Sequence, residues 1–238
     1  MSANPNADIQ SADELRDAAA RLKRELAKVI VGQEAVIDQL LIAISAAGVY
    51  RTNDGGATWT ANNAGITVPF LPDDPSPEFG QCVHKVARDA SNPDRLYLQH
   101  HGGIYRSDDG GATWMAMTGI AGMDFGFPVV AHPRRPNTAY LLPLESDEYR
   151  CTPGGQCTVW KTEDGGTSWQ ALTKGLPQHD AHLTVLRDGF TTDGLDPAGL
   201  YFGTRTGEVY ASTDEGDSWR ALATHLPPVM SVRAAPVH

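Results

Sequence analysis

No run of 18 or more apolar residues occurs in this 238-residue chain, so no membrane-spanning helix is predicted and no membrane partner is expected. The opening residues, MSANPNADIQSADELRD, lack the charged start and apolar stretch of a secretory signal, which makes a cytoplasmic protein the expectation. Cysteine is scarce, with three residues, too few for a disulfide scaffold. Cys151 and Cys157 bracket a Pro-Gly-Gly turn in CTPGGQC. Such a turn brings two sulfurs together under oxidising conditions and leaves two thiols in a reducing cytosol. No second Cys or His pair stands at ligand spacing around them, so no metal is expected there, and no cofactor.

Clustered basic charge is missing as well. The formal net charge is -10, and the pair Arg134 and Arg135 reads as a solvated turn rather than a phosphate-binding stripe, so nucleic acid is excluded as a partner. Glycine and proline are nearly absent from the first 47 residues, which hold one of the 24 glycines and one of the 16 prolines. That shift in composition places a domain boundary near residue 47. The expected organisation is a disordered tail over 1–10, a helical pair over 11–47 and a β-rich region over 48–238.

Ser11 to Glu14 has the form of a capping box, a hydroxyl acceptor followed three residues later by a carboxylate. Leu15, Ala19, Leu22, Leu26 and Val29 then recur at helical spacing. The VGQ of Val31 to Gln33 interrupts the pattern, and a second helix is predicted with Val36, Ile37, Leu40, Leu41 and Ile44 on its apolar side. The run RLKRELAKVIVGQEAVIDQLLIAISA resembles the start of MoxR-type AAA+ ATPases over about residues 12–46. That resemblance implies that Val31, Gly32 and Gln33 are remnants of an adenine-side contact. The phosphate-binding loop G-x-x-x-x-G-K-[ST] does not occur in the chain, nor does an apolar strand ending in an acidic pair. The implied element is therefore a helical appendage without ATP hydrolysis, and a nucleotide-dependent regulator is disfavoured.

The strongest signal is an internal repeat. TNDGGATW, SDDGGATW, TEDGGTSW and STDEGDSW share the pattern [ST]-x-D-x-G-x-[ST]-W. The repeated positions are Thr52, Asp54, Gly56 and Trp59, then Ser107, Asp109, Gly111 and Trp114, then Thr162, Asp164, Gly166 and Trp169, then Ser212, Asp214, Gly216 and Trp219. The tryptophans lie 55, 55 and 50 residues apart, a period that points to a propeller or solenoid array. Asp and the hydroxyl residue accept from nearby amides in a turn, and Gly supplies a positive φ.

These are Asp boxes, and residues 48–238 resemble the bacterial-neuraminidase-repeat (BNR) β-propellers, the family that includes sialidases and sortilin-like receptors. The resemblance implies that each box joins the third and fourth strands of a four-stranded blade on its outer rim, away from the channel. One blade then uses CVHKVARD, RLYLQH, GIYRS and TWMAM, and the next FPVVAH, TAYLLPL, TVWKT and SWQAL. A third uses HLTVLRD, GLYFGT, EVYAS and SWRAL. The first box owns only two strands, Gly48 to Asn62, and MSVRAAP near the C-terminus reads as a lone further strand. The expected fold is mainly β, an open propeller of about three four-stranded blades plus an extra hairpin, preceded by two α-helices. Propellers typically close with four to eight blades, so open blade edges imply self-association.

A sialidase of this family grips its substrate with three arginines, a set that cannot be assigned here. The loop LESDEYRC (Leu144 to Cys151) offers Glu145, Asp147, Glu148 and Tyr149 as acid/base or cation candidates, against the alternative of a solvated acidic loop. LQHHGG places His100 and His101 at a strand end as ligand candidates. Neighbouring strand residues point to opposite faces, so the two are not expected to share one metal. The expected function is a noncatalytic scaffold or binding module for a protein or carbohydrate ligand, with an ATPase-type N-terminal remnant joined at residues 46–48. The rival is a sialidase-like glycosyl hydrolase that requires further blades.

Overall fold

The computed structural model describes residues 41–44, 48–68, 77, 81–120 and 125–235. Most of the predicted helical pair, with Val31, Gly32 and Gln33, lies outside the described residues. The chain divides into two compact units, residues 1–41 with 51–60 and residues 42–50 with 61–238. In the smaller unit the described part is Leu41 and the first repeated turn. The larger unit carries three complete antiparallel sheets.

The first sheet corrects the sequence reading. Its strands are β1 (Leu41–Ile44), β2 (Gly48–Arg51) and β3 (Thr60–Ala61), in the order β1-β2-β3. Leu41 to Ile44 was expected to end a helix, yet it forms a third strand beside the predicted hairpin. A short continuous apolar run satisfies helix and buried-strand patterns alike, and a free strand edge decides between them by offering backbone partners. The sheet thus starts upstream of residue 47.

The next two sheets follow the predicted segments. The second contains β4 (Val83–Arg88), β5 (Leu96–His100), β6 (Gly103–Ser107) and β7 (Met115–Ala116). The third contains β8 (Gly126–Ala131), β9 (Ala139–Pro143), β10 (Val159–Thr162) and β11 (Gln170–Leu172). Both are up-and-down meanders in sequence order.

The fourth sheet contains β12 (Phe190–Thr192), β13 (Leu200–Gly203), β14 (Val209–Ser212) and β15 (Arg220–Ala223). Its first strand is Phe190–Thr192 and not the predicted HLTVLRD. Leu183 and Val185 are buried at alternate positions, as a strand would bury them. The backbone carbonyls of this segment, however, bond to loops: Thr152 N donates to Leu183 O, and Arg205 N to Thr184 O. Alternating burial recorded packing, while the ladder needed a strand partner, which Phe190–Thr192 finds antiparallel to β13. MSVRAAP likewise forms no strand among the described residues. It is tied to the fourth sheet through Val232 N to Asp188 O, with Val229 N to Thr204 O just upstream.

The repeated turn has one hydrogen-bond pattern. In the third copy Thr162 Oγ1 donates to Asp164 Oδ1 (2.8 Å) and accepts from Gly166 N (2.8 Å). Asp164 in turn accepts from Ser168 N (2.9 Å) and Ser168 Oγ (2.6 Å). The same four bonds recur at Thr52/Asp54, Ser107/Asp109 and Ser212/Asp214. Each turn thereby satisfies its own polar groups and connects the last two strands of its sheet.

Two apolar layers join the complete sheets. Tyr97, Ile104 and Ile120 pack on Val129 and Leu141 between the second and third. Tyr140, Leu142 and Val159 meet Phe190, Leu200, Phe202 and Trp219 between the third and fourth. No described helix is long and apolar enough to cross a membrane.

Candidate functional site

Polar, titratable groups converge where β4 begins, β5 ends and β8 begins. A register shift separates Val83 from Lys85 in the β4–β5 ladder, and another separates Gly126 from Val129 in the β8–β9 ladder. Such bulges re-aim side chains at a strand end. Across the β4–β5 bulge Cys82 and His84 meet, their Sγ and Nε2 atoms 3.5 Å apart.

The turn after β5 closes the site. Cys82 O accepts from His101 N (2.9 Å). The two ring nitrogens of the buried His100 face the amides of Cys82 (2.9 Å) and Gly102 (3.0 Å). His100 therefore positions the backbone, and the adjacent His101 side chain joins Cys82 and His84. One potential ligand atom from each of these three lies within 4.8 Å of the others.

His84 Nδ1 stands 2.5 Å from the Gly126 carbonyl oxygen. A carbonyl only accepts, so Nδ1 carries the proton and the Nε2 lone pair faces Cys82. Burial pushes the His84 pKa down to about 4, against the opposing pull of the Gly126 bond and with help from the charges of Arg187, His101 and Arg150. Burial also lowers His100 to about 4. Both rings are neutral at pH 7, the state in which imidazole is a ligand.

Phe125 and Phe127 wall the site, with ring centroids 5.5 and 4.8 Å from that of His84. Leu144 packs behind them. Arg150 and Arg187 stack over Phe127 at 5.7 and 5.2 Å.

Of the predicted residues, the structure brings His101 and Asp147 together, with Nε2 and Oδ2 3.2 Å apart. Glu145 instead accepts from Gly154 N (3.0 Å), holding the short 3-10 turn Pro153–Gly155. Glu148 and Tyr149 are exposed on the same loop, where Tyr149 N donates to Ser146 Oγ. Cys151 and Cys157 form no disulfide, and Cys157 is buried in the core. Cys82 and His84 were not singled out in the sequence. The signal available was their i, i+2 spacing at a strand start, completed by a histidine 17 positions further on.

No family model matches the chain. Over 228 aligned residues it is 24% identical to the xyloglucanase Xgh74A of Acetivibrio thermocellus, covering 81% of this chain and 25% of that protein. Among solved structures, an ancestral GH74 enzyme superposes with a TM-score of 0.60 at 19% identity, over 79% of this chain and 23% of the other. The GH74 xyloglucanase of Xanthomonas campestris superposes with a TM-score of 0.55 at 22% identity, over 78% and 28%. YCF48 from Cyanidioschyzon merolae does so with a TM-score of 0.50 at 18% identity, over 77% and 52%. These likenesses establish the fold, a run of β-propeller blades. The chain spans about a quarter of the length of the curated relative it matches.

Proposed function

We propose that the chain is a noncatalytic β-propeller binding or scaffold module of the Asp-box type. Its contact surface is the end that carries Cys82, His101 and the 144–151 loop. The observation that carries this reading is where the carboxylates are spent. Asp89 and Asp193 are buried, and burial, which opposes ionisation, is outweighed by hydrogen bonds that keep both carboxyls below the usual range. Buried Glu215 pairs with Arg135. Glycoside hydrolysis needs two carboxyl groups facing each other at about 5–10 Å, one of them kept protonated. Here Glu145, Asp147 and Glu148 share one exposed lip, engaged with Gly154 and His101 or open to solvent.

The alignment with a xyloglucanase supports a β-glucan as the ligand class, with a protein as the alternative. It also favours a second reading, a glycosyl hydrolase completed by further blades. A sialidase-type activity rests on the repeated turns alone. Residues 12–46 are read as the MoxR-like remnant, and a cytoplasmic setting accompanies this reading.

Calorimetry with xyloglucan oligosaccharides and a hydrolysis assay on xyloglucan and sialosides test it together. Binding without turnover is expected. Turnover abolished by Asp147→Asn or Glu148→Gln overturns the noncatalytic assignment, and turnover that rises steeply with protein concentration supports the second reading.

A further inference from the structure

We propose that Cys82, His84 and His101 form a mononuclear site for a zinc-like transition-metal ion, with the Asp147 carboxylate at its solvent side. The site stands whether or not the chain binds a glycan.

The separations suit a tetrahedral ion. With bonds of about 2.3 Å to sulfur and about 2.0 Å to nitrogen, a tetrahedral S–N edge is roughly 3.5 Å and an N–N or N–O edge roughly 3.3 Å. Cys82 Sγ and His84 Nε2 are 3.5 Å apart, while Asp147 Oδ2, 3.2 Å from His101 Nε2, stands beside the three-residue group as an outer contact of His101. All three sulfur and nitrogen donors already lie within 4.8 Å of one another. His101 sits on the turn beyond β5 and is partly exposed, so a small rotation of its side chain brings the set to bonding distance.

The surroundings are those of a ligand set. His84 is locked by the Gly126 carbonyl into the tautomer that presents Nε2, the orientation that outer contacts impose on metal-bound imidazoles. Asp147 supplies a carboxylate beside His101. A thiolate and a carboxylate together offset a divalent charge. Sulfur and imidazole donors select zinc, cobalt, nickel or copper over magnesium and calcium. Cys82 and His101 are only partly covered, which leaves a path for entry. An ion held here ties β4 and the β5 turn of the second sheet to the loop after β9 of the third.

The test uses the full chain, stripped with a chelator and titrated with Co²⁺. The expected result is one equivalent bound, with tetrahedral ligand-field bands and a thiolate-to-cobalt charge-transfer band, displaced by Zn²⁺ and untouched by Mg²⁺. Cys82→Ser is expected to lose the charge-transfer band, and His101→Gln to weaken binding by at least tenfold, while Cys151→Ser keeps both. Asp147→Asn is expected to weaken binding by about 10-fold or more. Circular dichroism of the stripped proteins identifies a variant that fails to fold, and His101→Gln, on the exposed turn, then carries the test. A parent protein without a charge-transfer band, or a band that survives both Cys82→Ser and His101→Gln, overturns the proposal.

Discussion

Gly175 lies against the backbone of Trp219, so closely that a Cβ on Gly175 would stand 2.0 Å from the Trp219 carbonyl oxygen. Trp219 N donates to Lys174 O (2.9 Å), so the tail of the third sheet is clamped to the repeated turn of the fourth. The same device joins Gly65 to Trp114, with Trp114 N donating to Ala64 O (2.8 Å). The buried Ile66 and Leu176 follow these glycines into the seams. At the corresponding place after the fourth turn stand His225, with φ of 60°, and the exposed Leu226.

Gly175→Ala is therefore expected to destabilise the protein by about 3 kcal/mol, since it meets both a positive φ and backbone atoms that cannot retreat. Gly154 shares the positive φ but has nothing within 4 Å. Gly154→Ala is expected to cost about 1 kcal/mol. Denaturant unfolding of both variants checks the contrast, and equal losses would show that the clamp is unimportant.

The carboxylates of the repeated turns make stability depend on acid. The Ser168 hydroxyl and then its amide hold Asp164 well below the usual carboxylate range, and Thr58 does the same for Asp54. A folded pKa below the unfolded one adds stability that is complete above about pH 4 and lost as pH falls through the folded value. Unfolding temperatures are expected to drop as pH falls below about 4. Asp164→Asn is expected to lower the unfolding temperature at pH 7 and to flatten this acid limb.

Glu215 links the third and fourth sheets. Its Oε2 lies 2.7 Å from Arg135 Nη1, and its Oε1 lies 3.4 Å from His132 Nε2. His132 Nδ1 accepts from the amides of Arg134 and Arg135, so Nε2 bears the proton. Burial depresses the His132 pKa, with Glu215 pulling the other way. The associated stability is present above about pH 6.5 and lost as pH falls through the folded value. Glu215→Gln is expected to lower His132 further, read from its ring resonances. Glu215→Ala is expected to cost about 1 kcal/mol, because half-exposed Arg135 loses its nearest carboxylate while buried Lys161 keeps Glu163 at 2.7 Å.

Thiol chemistry separates the cysteines. Burial alone pushes the Cys157 thiol up to about 12, whereas Cys82 and Cys151 are partly exposed. Alkylation of the native, chelator-treated protein at pH 8 is expected to label Cys82 and Cys151 and to spare Cys157. Labelling of Cys157 at the same rate as Cys151 would contradict the burial of this loop.

The four turns were legible in the sequence because each is closed by bonds between residues no more than four apart, such as Thr162, Asp164 and Ser168. The strands of the second and third sheets followed from the segments flanking those turns. What sequence reading missed lies at longer range. Leu41 to Ile44 reads equally well as helix or strand until an open sheet edge stands beside it. Leu183 and Val185 alternate like a strand, yet their burial comes from packing between loops. Cys82 and His101 meet only through the β4–β5 pairing, and Asp147 reaches His101 from the third sheet, 46 positions away. Local hydrogen bonding by itself determined the repeat and its turns. The tertiary structure decided which edges are paired and which donors converge, because those depend on where separate sheets come to rest against one another.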